Sequence, residues 1–167
     1  YRQPALAVRR AGESAALTHY HQEAIDACRY FAALIVAAVH GAPKDELLSE
    51  QFYDRHQEWF GSRPLSSAVL EVARGSFKKH RGYDDGIRGA GYIVKTLEAA
   101  LWAFWRDDGS FKKGACDAVN LGDDTDTTAA VYGQLVGACY GFDKLPQDWI
   151  RMLYANDLIQ KFAQWLD

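Results

Sequence analysis

Cysteine, methionine and proline are all scarce in this 167-residue sequence, which holds three, one and four of them. Each shortage closes off a class of protein. Cys28, Cys116 and Cys139 are odd in number and show no C-x-x-C spacing, which argues against a disulfide framework or a zinc ribbon. Two of the three sit in apolar helical runs, so buried free thiols in a reducing, cytoplasmic compartment are the expectation. Long apolar runs are missing too. The best candidate, "FAALIVAAV" over 31–39, stops at His40-Gly41, too short to cross a bilayer, and reads as a core helix with no membrane partner. An excess of positive charge is also absent: 19 Lys and Arg face 22 Asp and Glu, for a net charge of -3. The small clusters at Lys78, Lys79, Arg81 and at Lys112, Lys113 read as solvated surface, and no nucleic-acid partner is expected. The sequence opens on Tyr1, not methionine, and runs almost directly into helical pattern, which points to a fragment or a processed chain.

What is present is helical periodicity. With 49% hydrophobic and 25% charged residues, the chain is long enough for one packed core. Sustained alternation of the strand kind is nowhere found. All four prolines fit a helical reading: Pro4 and Pro146 can open helices, while Pro43 and Pro64 fall in breaks. The pattern predicts helices near 4–17, 20–40, 44–60, 66–77, 90–106, 110–119, 126–140 and 146–165, the last broken near Asn156. Connections are short and no repeat or linker interrupts them, so residues 1–167 are expected to form a single all-α domain. Trp59, Trp102, Trp105, Trp149 and Trp165 are assigned to its core.

Two features of 120–141, "NLGDDTDTTAAVYGQLVGACYG", call for explanation. Gly133, Gly137 and Gly141 recur every fourth residue, and each interior glycine costs a helix about 1 kcal/mol relative to alanine. Close approach of another helix is the expected reason, with this helix central and its N-terminus delivered to a cleft. Ahead of it, Asp123, Asp124 and Asp126 crowd like charge beyond what a helix cap requires. Asp124, Asp126 and Thr127 offer hard oxygen donors suited to Mg2+ or Mn2+ and wrong for Zn2+. Capping and surface exposure remain the alternative.

The same stretch resembles the C-terminal metal motif of the ADP-ribosylglycohydrolase family, most closely its bacterial branch that reactivates ADP-ribosylated dinitrogenase reductase. Two further segments carry the resemblance in the family's order. "ESAALTHYHQEAIDACRYFAALIVAAVHG" over 13–41 is similar to its Thr-His segment, and "GAGYIVKTLEAALWAFW" over 89–105 to its glycine-tyrosine segment. Together they span nearly the whole chain.

The resemblance implies an orthogonal helical bundle around a two-metal cleft, and hydrolysis of an N- or O-glycosidic bond between ADP-ribose and a protein side chain or related acceptor. Asp124, Asp126 and Thr127 match the D-x-D-T metal ligands. His19, Gly91 and Tyr92 match residues lining the ADP-ribose site, and Asp123 stands where many relatives carry glycine, with a substrate hydroxyl or metal-bound water within its expected reach. The family also draws a Thr-Asp-Asp triplet and an acidic catalytic residue from its N-terminal half. This chain has no Thr-Asp-Asp, so it corresponds to roughly the C-terminal half, and the catalytic residue is expected outside it. Expected partners are an ADP-ribosylated protein or an ADP-ribose-containing small molecule, and the missing half or another copy of the chain. A non-catalytic ADP-ribose-binding or scaffold protein that keeps the fold is the alternative. His19 and His21, in an H-x-H arrangement, read as cap or surface groups more readily than as a transition-metal pair.

Overall fold

The computed structural model describes residues 2–166 and is all-α, with no strand among them. Pro4 opens α1 (Pro4–Thr18), where its missing N–H and fixed φ suit the first helical turn. Three residues then turn the chain into α2 (Gln22–Val39), in which Ala24, Ala27, Ala33, Ala37 and Ala38 are buried with Tyr30, Leu34 and Val36. The short link makes the two helices neighbours. Their contact is tight at Gly12, where a Cβ would fall 2.9 Å from Cγ of Arg29.

Arg29 is itself buried. It donates to Asp26 at 2.8 Å and to the carbonyls of Phe60 and Arg63, and Asp26 also accepts from Gln22 and from the Ser66 backbone. This buried pair ties the loop after residue 60 to α2. A fully hydrogen-bonded arrangement is what makes two buried charges tolerable.

The segment predicted as one helix over 44–60 is instead α3 (Lys44–Leu47), α4 (Phe52–Arg55) and a 3-10 turn, Gln57–Phe60. Side chains compete with the backbone there. Ser49 accepts from the Gln51 N–H, and the His56 ring pairs with the Phe52 carbonyl while packing between the rings of Phe52 and Trp59. The next helix, α5 (Ser67–Ala73), is shorter than predicted because the chain turns through Gly75 at φ +94°.

A second 3-10 turn (Gly82–Asp85) leads to α6 (Ile93–Arg106), the most buried helix; its face from Val94 to Phe104 fills the core. Next, α7 (Phe111–Asn120) is capped by Ser110, which accepts from the Lys113 N–H. Then α8 (Thr125–Tyr140) packs against α2, α6 and α7. The last helices, α9 (Gln147–Met152) and α10 (Asn156–Leu166), are separated at Ala155, where φ is +55°.

Asp107, at the end of α6, is fully buried and accepts from Lys44 at 2.6 Å, Tyr140 at 2.8 Å, Tyr132 at 3.1 Å and the Gly109 N–H. Burial, and then the Asp107 charge, pushes both phenols above their ordinary range, so both remain donors.

Three further sequence expectations need correction. The glycines of α8 do not seat a neighbouring helix: a Cβ on Gly137 would meet nothing within 4 Å, one on Gly133 only Phe111 at 3.8 Å, and Gly141 closes the helix at φ +79°. The tight glycines are others, such as Gly114 against Tyr132 and Gly82 against Trp102. Trp165 is 77% exposed and Trp149 also reaches solvent, so neither belongs to the core. No cysteine is fully buried: Cys116 is exposed, and Cys28 and Cys139 are half-buried free thiols. Among the described residues no helix is long and apolar enough to cross a membrane.

Candidate functional site

The starts of α2, α6 and α8 and the end of α1 meet around a cavity of about 490 Å3. Its floor is apolar, built by alanines of α1 and α2 with Phe31, Ile93, Leu97 and Val131. Its rim is polar: Thr18, His19 and His21 on one side, Gly91 and Tyr92 on the second, Asp124 and Thr127 on the third. A concave, mostly apolar pocket with a few converging polar groups is the general form of a small-molecule site. A wider groove of about 910 Å3 runs between α1 and the segment around Trp59, but it holds none of the candidate residues, and its buried cation, Arg29, is already engaged by Asp26.

The rim is assembled by backbone contacts between segments remote in sequence. The Asp124 N–H donates to the Gly89 carbonyl at 2.5 Å, and Thr128 is buried beneath the same turn, with its hydroxyl donating to the Asp124 carbonyl. Gly89 permits this approach, since a Cβ there would fall 2.6 Å from Thr128 Oγ1. Asp124 stands at the N-cap of α8, yet its carboxylate makes no capping bond. It faces the Gly91 turn instead, with Oδ2 4.0 Å from where a Gly91 Cβ would lie.

Of the residues singled out in the sequence, His19, Gly91, Tyr92, Asp124 and Thr127 line this one cavity. Asp126 and Asp123 do not; both are exposed, and Asp123 takes φ +59° in the turn before α8. The carboxylate of Asp124 and the hydroxyl of Thr127 are donors of the hard type that Mg2+ or Mn2+ prefers. They are few, and among the described residues no three His, Cys, Asp or Glu side chains converge on a common point.

Sequence reading missed Glu23. It lies in the first turn of α2, where an acidic residue reads as ordinary helix-start charge. In the structure it accepts a hydrogen bond from the Tyr92 hydroxyl at 2.7 Å, 69 residues away, and His21 Nδ1 lies 3.7 Å from the same oxygen. That bond to Glu23 is the main reason the Tyr92 phenol is raised above its ordinary value. Cys28, on the cavity wall, is raised by burial.

The family model for ADP-ribosylglycohydrolase matches residues 1–167. This chain belongs to that family. The ADP-ribosylarginine hydrolase Tri1 of Pseudomonas putida (strain GB-1) is 37% identical over 150 residues, and that of Serratia proteamaculans (strain 568) 32% over 149. These alignments take in 90% and 89% of the chain, which spans 37% of the length of each of these two relatives. The ADP-ribosyl-[dinitrogen reductase] glycohydrolase of Rhodospirillum rubrum is 42% identical over 62 residues, 37% of this chain and 21% of that protein. A solved structure described as an ADP-ribosylglycohydrolase-related protein complex superposes with a TM-score of 0.81 at 37% identity, covering 93% of this chain and 50% of its own. The family resemblance carried by the sequence motifs therefore extends to the fold, and the ADP-ribosylglycohydrolase chain is all-α as expected.

Proposed function

We propose that this chain forms one wall of the active site of an enzyme that removes ADP-ribose from a modified protein side chain, with arginine the favoured acceptor. The observation that carries the reading is the convergence of His19, Gly91, Tyr92, Asp124 and Thr127, from three separate segments, on a single cavity. The names of the Tri1 relatives support the arginine linkage.

In this reading the imidazole of His19 and the Gly91 backbone lie against the diphosphate, and Tyr92 orients the adjoining ribose. The apolar floor keeps water away from the buried part of the ligand, so that polar contacts at the rim act in a low local dielectric. Asp124 and Thr127 would hold Mg2+ or Mn2+, with Asp126 reaching in from its exposed position at the first turn of α8 and Asp123 nearby for a substrate hydroxyl. Such an ion, when bound, supplies Lewis-acid polarisation of ribose oxygens and of an attacking water. The general acid or base, and the remaining metal ligands, come from a segment other than this one. The free thiols fit a reducing, cytoplasmic setting.

A non-catalytic ADP-ribose-binding role is the second reading, favoured by the lack of three converging His, Cys, Asp or Glu ligands among the described residues. Calorimetric titration with ADP-ribose, with and without Mn2+, and a release assay on an ADP-ribosyl-arginine peptide separate the two. Binding that Mn2+ strengthens, with release once the complementary segment of the family fold is added, supports the hydrolase. Binding indifferent to Mn2+ with no release supports the binder, and no binding in either condition removes both.

A further inference from the structure

Tyr92 is an unusual residue to leave unsupported. It caps α6 at the cavity rim, the residue is 44% exposed, and an exposed aromatic side chain ordinarily samples several rotamers. Two non-helical turns meet here. One is the His19–His21 link between α1 and α2; the other is the glycine-bounded approach to α6 through Gly89 and Gly91. Glu23 bridges them. Its backbone is fixed in the first turn of α2, where the helix dipole favours a carboxylate, and its side chain is 29% exposed. From there it accepts the Tyr92 hydroxyl at 2.7 Å, a charge-assisted bond, while His21 stands 3.7 Å from the same oxygen.

We propose that Glu23 is a positioning residue of the ADP-ribose site: it fixes the Tyr92 ring across the cavity mouth and locks the α1–α2 turn to the start of α6. The inference rests on the functional reading above, because only a ligand in that cavity makes the orientation of Tyr92 matter. Glu23 does not line the cavity itself and is assigned no contact with substrate. The energetic logic is preorganisation. A ring already held in its binding orientation loses less rotamer freedom when the ligand arrives.

The test uses the chain with tyrosine-13C labelling and four variants: Glu23→Ala, Glu23→Gln, Tyr92→Phe and the Glu23→Ala/Tyr92→Phe double. Tyr92→Phe identifies the Tyr92 13Cζ signal, and retention of the amide spectrum verifies the fold of each variant. Glu23→Ala should move that signal toward the value of a solvated phenol. Glu23→Gln, which keeps an acceptor oxygen, should leave it near its original position. ADP-ribose affinity, read from the same spectra up to millimolar ligand, should fall about fivefold in Glu23→Ala and in Tyr92→Phe, as expected for one lost hydrogen bond. The double variant should be no weaker than either single. An unmoved Tyr92 signal in Glu23→Ala, or losses that multiply in the double variant, overturns the proposal while leaving the site intact. An unaltered chain that binds no ADP-ribose overturns the functional reading, and the positioning role with it.

Discussion

The amide of Asp124 and the carbonyl of Gly89 meet at 2.5 Å, and this contact joins the acidic turn before α8 to the glycine turn before α6. The two glycines of that turn should respond very differently to a methyl group. A Cβ on Gly89 would lie 2.6 Å from Thr128 Oγ1 and 3.3 Å from the Gly122 carbonyl, whereas one on Gly91 meets only Asp124 at 4.0 Å. Gly89→Ala is expected to destabilise by about 1–3 kcal/mol, the usual range for overpacking. Gly91→Ala should stay within about 0.5 kcal/mol of the parent. Urea midpoints at constant m-value check both.

Stability on the acid side should depend on Glu98. This buried carboxylate would be raised by desolvation, but donation from Lys95 at 2.9 Å and Ser76 at 2.5 Å, with Lys79 nearby, more than offsets that and leaves it below its ordinary value. A depressed folded-state pKa means that the unfolded chain binds the proton more readily. The contribution is therefore fully present above the ordinary glutamate value of about 4.3 and is lost as pH falls through the lower folded value. The stability gap between the parent and Glu98→Gln should narrow on acidification below about pH 4.3. A gap that stays constant down to pH 2 would contradict the sign.

Metal affinity of the chain alone should be weak. An octahedral ion has about six coordination positions, and of the predicted donors only Asp124 and Thr127 share the cavity. Calorimetry should find Mn2+ binding no tighter than about millimolar, weakened further by Asp124→Ala, and no release of ADP-ribose from a modified arginine peptide. Micromolar Mn2+ binding with efficient turnover by the 167-residue chain would show that the site lies elsewhere.

The family identity and most helices were legible before any coordinates, because the Thr-His, glycine-tyrosine and acidic segments each carry a local pattern. Two kinds of feature were not. The breaks within 44–60 follow from the Ser49 hydroxyl and the His56 ring, whose competition with the helix ladder leaves the apolar spacing unchanged. The Glu23–Tyr92 bond spans 69 residues and joins a residue that reads as helix-start charge to one that the family resemblance places at the ligand, and no local pattern links the two. Likewise, the spacing of Gly133 and Gly137 looks like a packing stripe, although nothing closer than Phe111 at 3.8 Å approaches it.

Self-association should trace to α10. Leu158, Ile159, Phe162 and Trp165 are each more than half exposed, and Met152 and Tyr154 before them more so. Contiguous apolar surface of this kind drives association unless another protein surface covers it. Phe162→Glu with Trp165→Glu is expected to lower the apparent mass in sedimentation at high concentration, with the thermal midpoint unchanged because neither side chain belongs to the core.

Asp107 imposes an order of events on the chain. Its partners lie 63, 25 and 33 positions away, at Lys44, Tyr132 and Tyr140, so the carboxylate gains its full set only when α3 and α8 have both docked on the end of α6. Closing loops of that span comes before any return from the contacts they allow. A half-assembled chain therefore carries a desolvated carboxylate still short of donors, which disfavours compact states with α8 or α3 misplaced. Contacts completed after the rate-limiting step act on the reverse rate. Asp107→Asn should accordingly steepen escape from the native state, raising the unfolding arm of a chevron plot while the refolding arm barely moves.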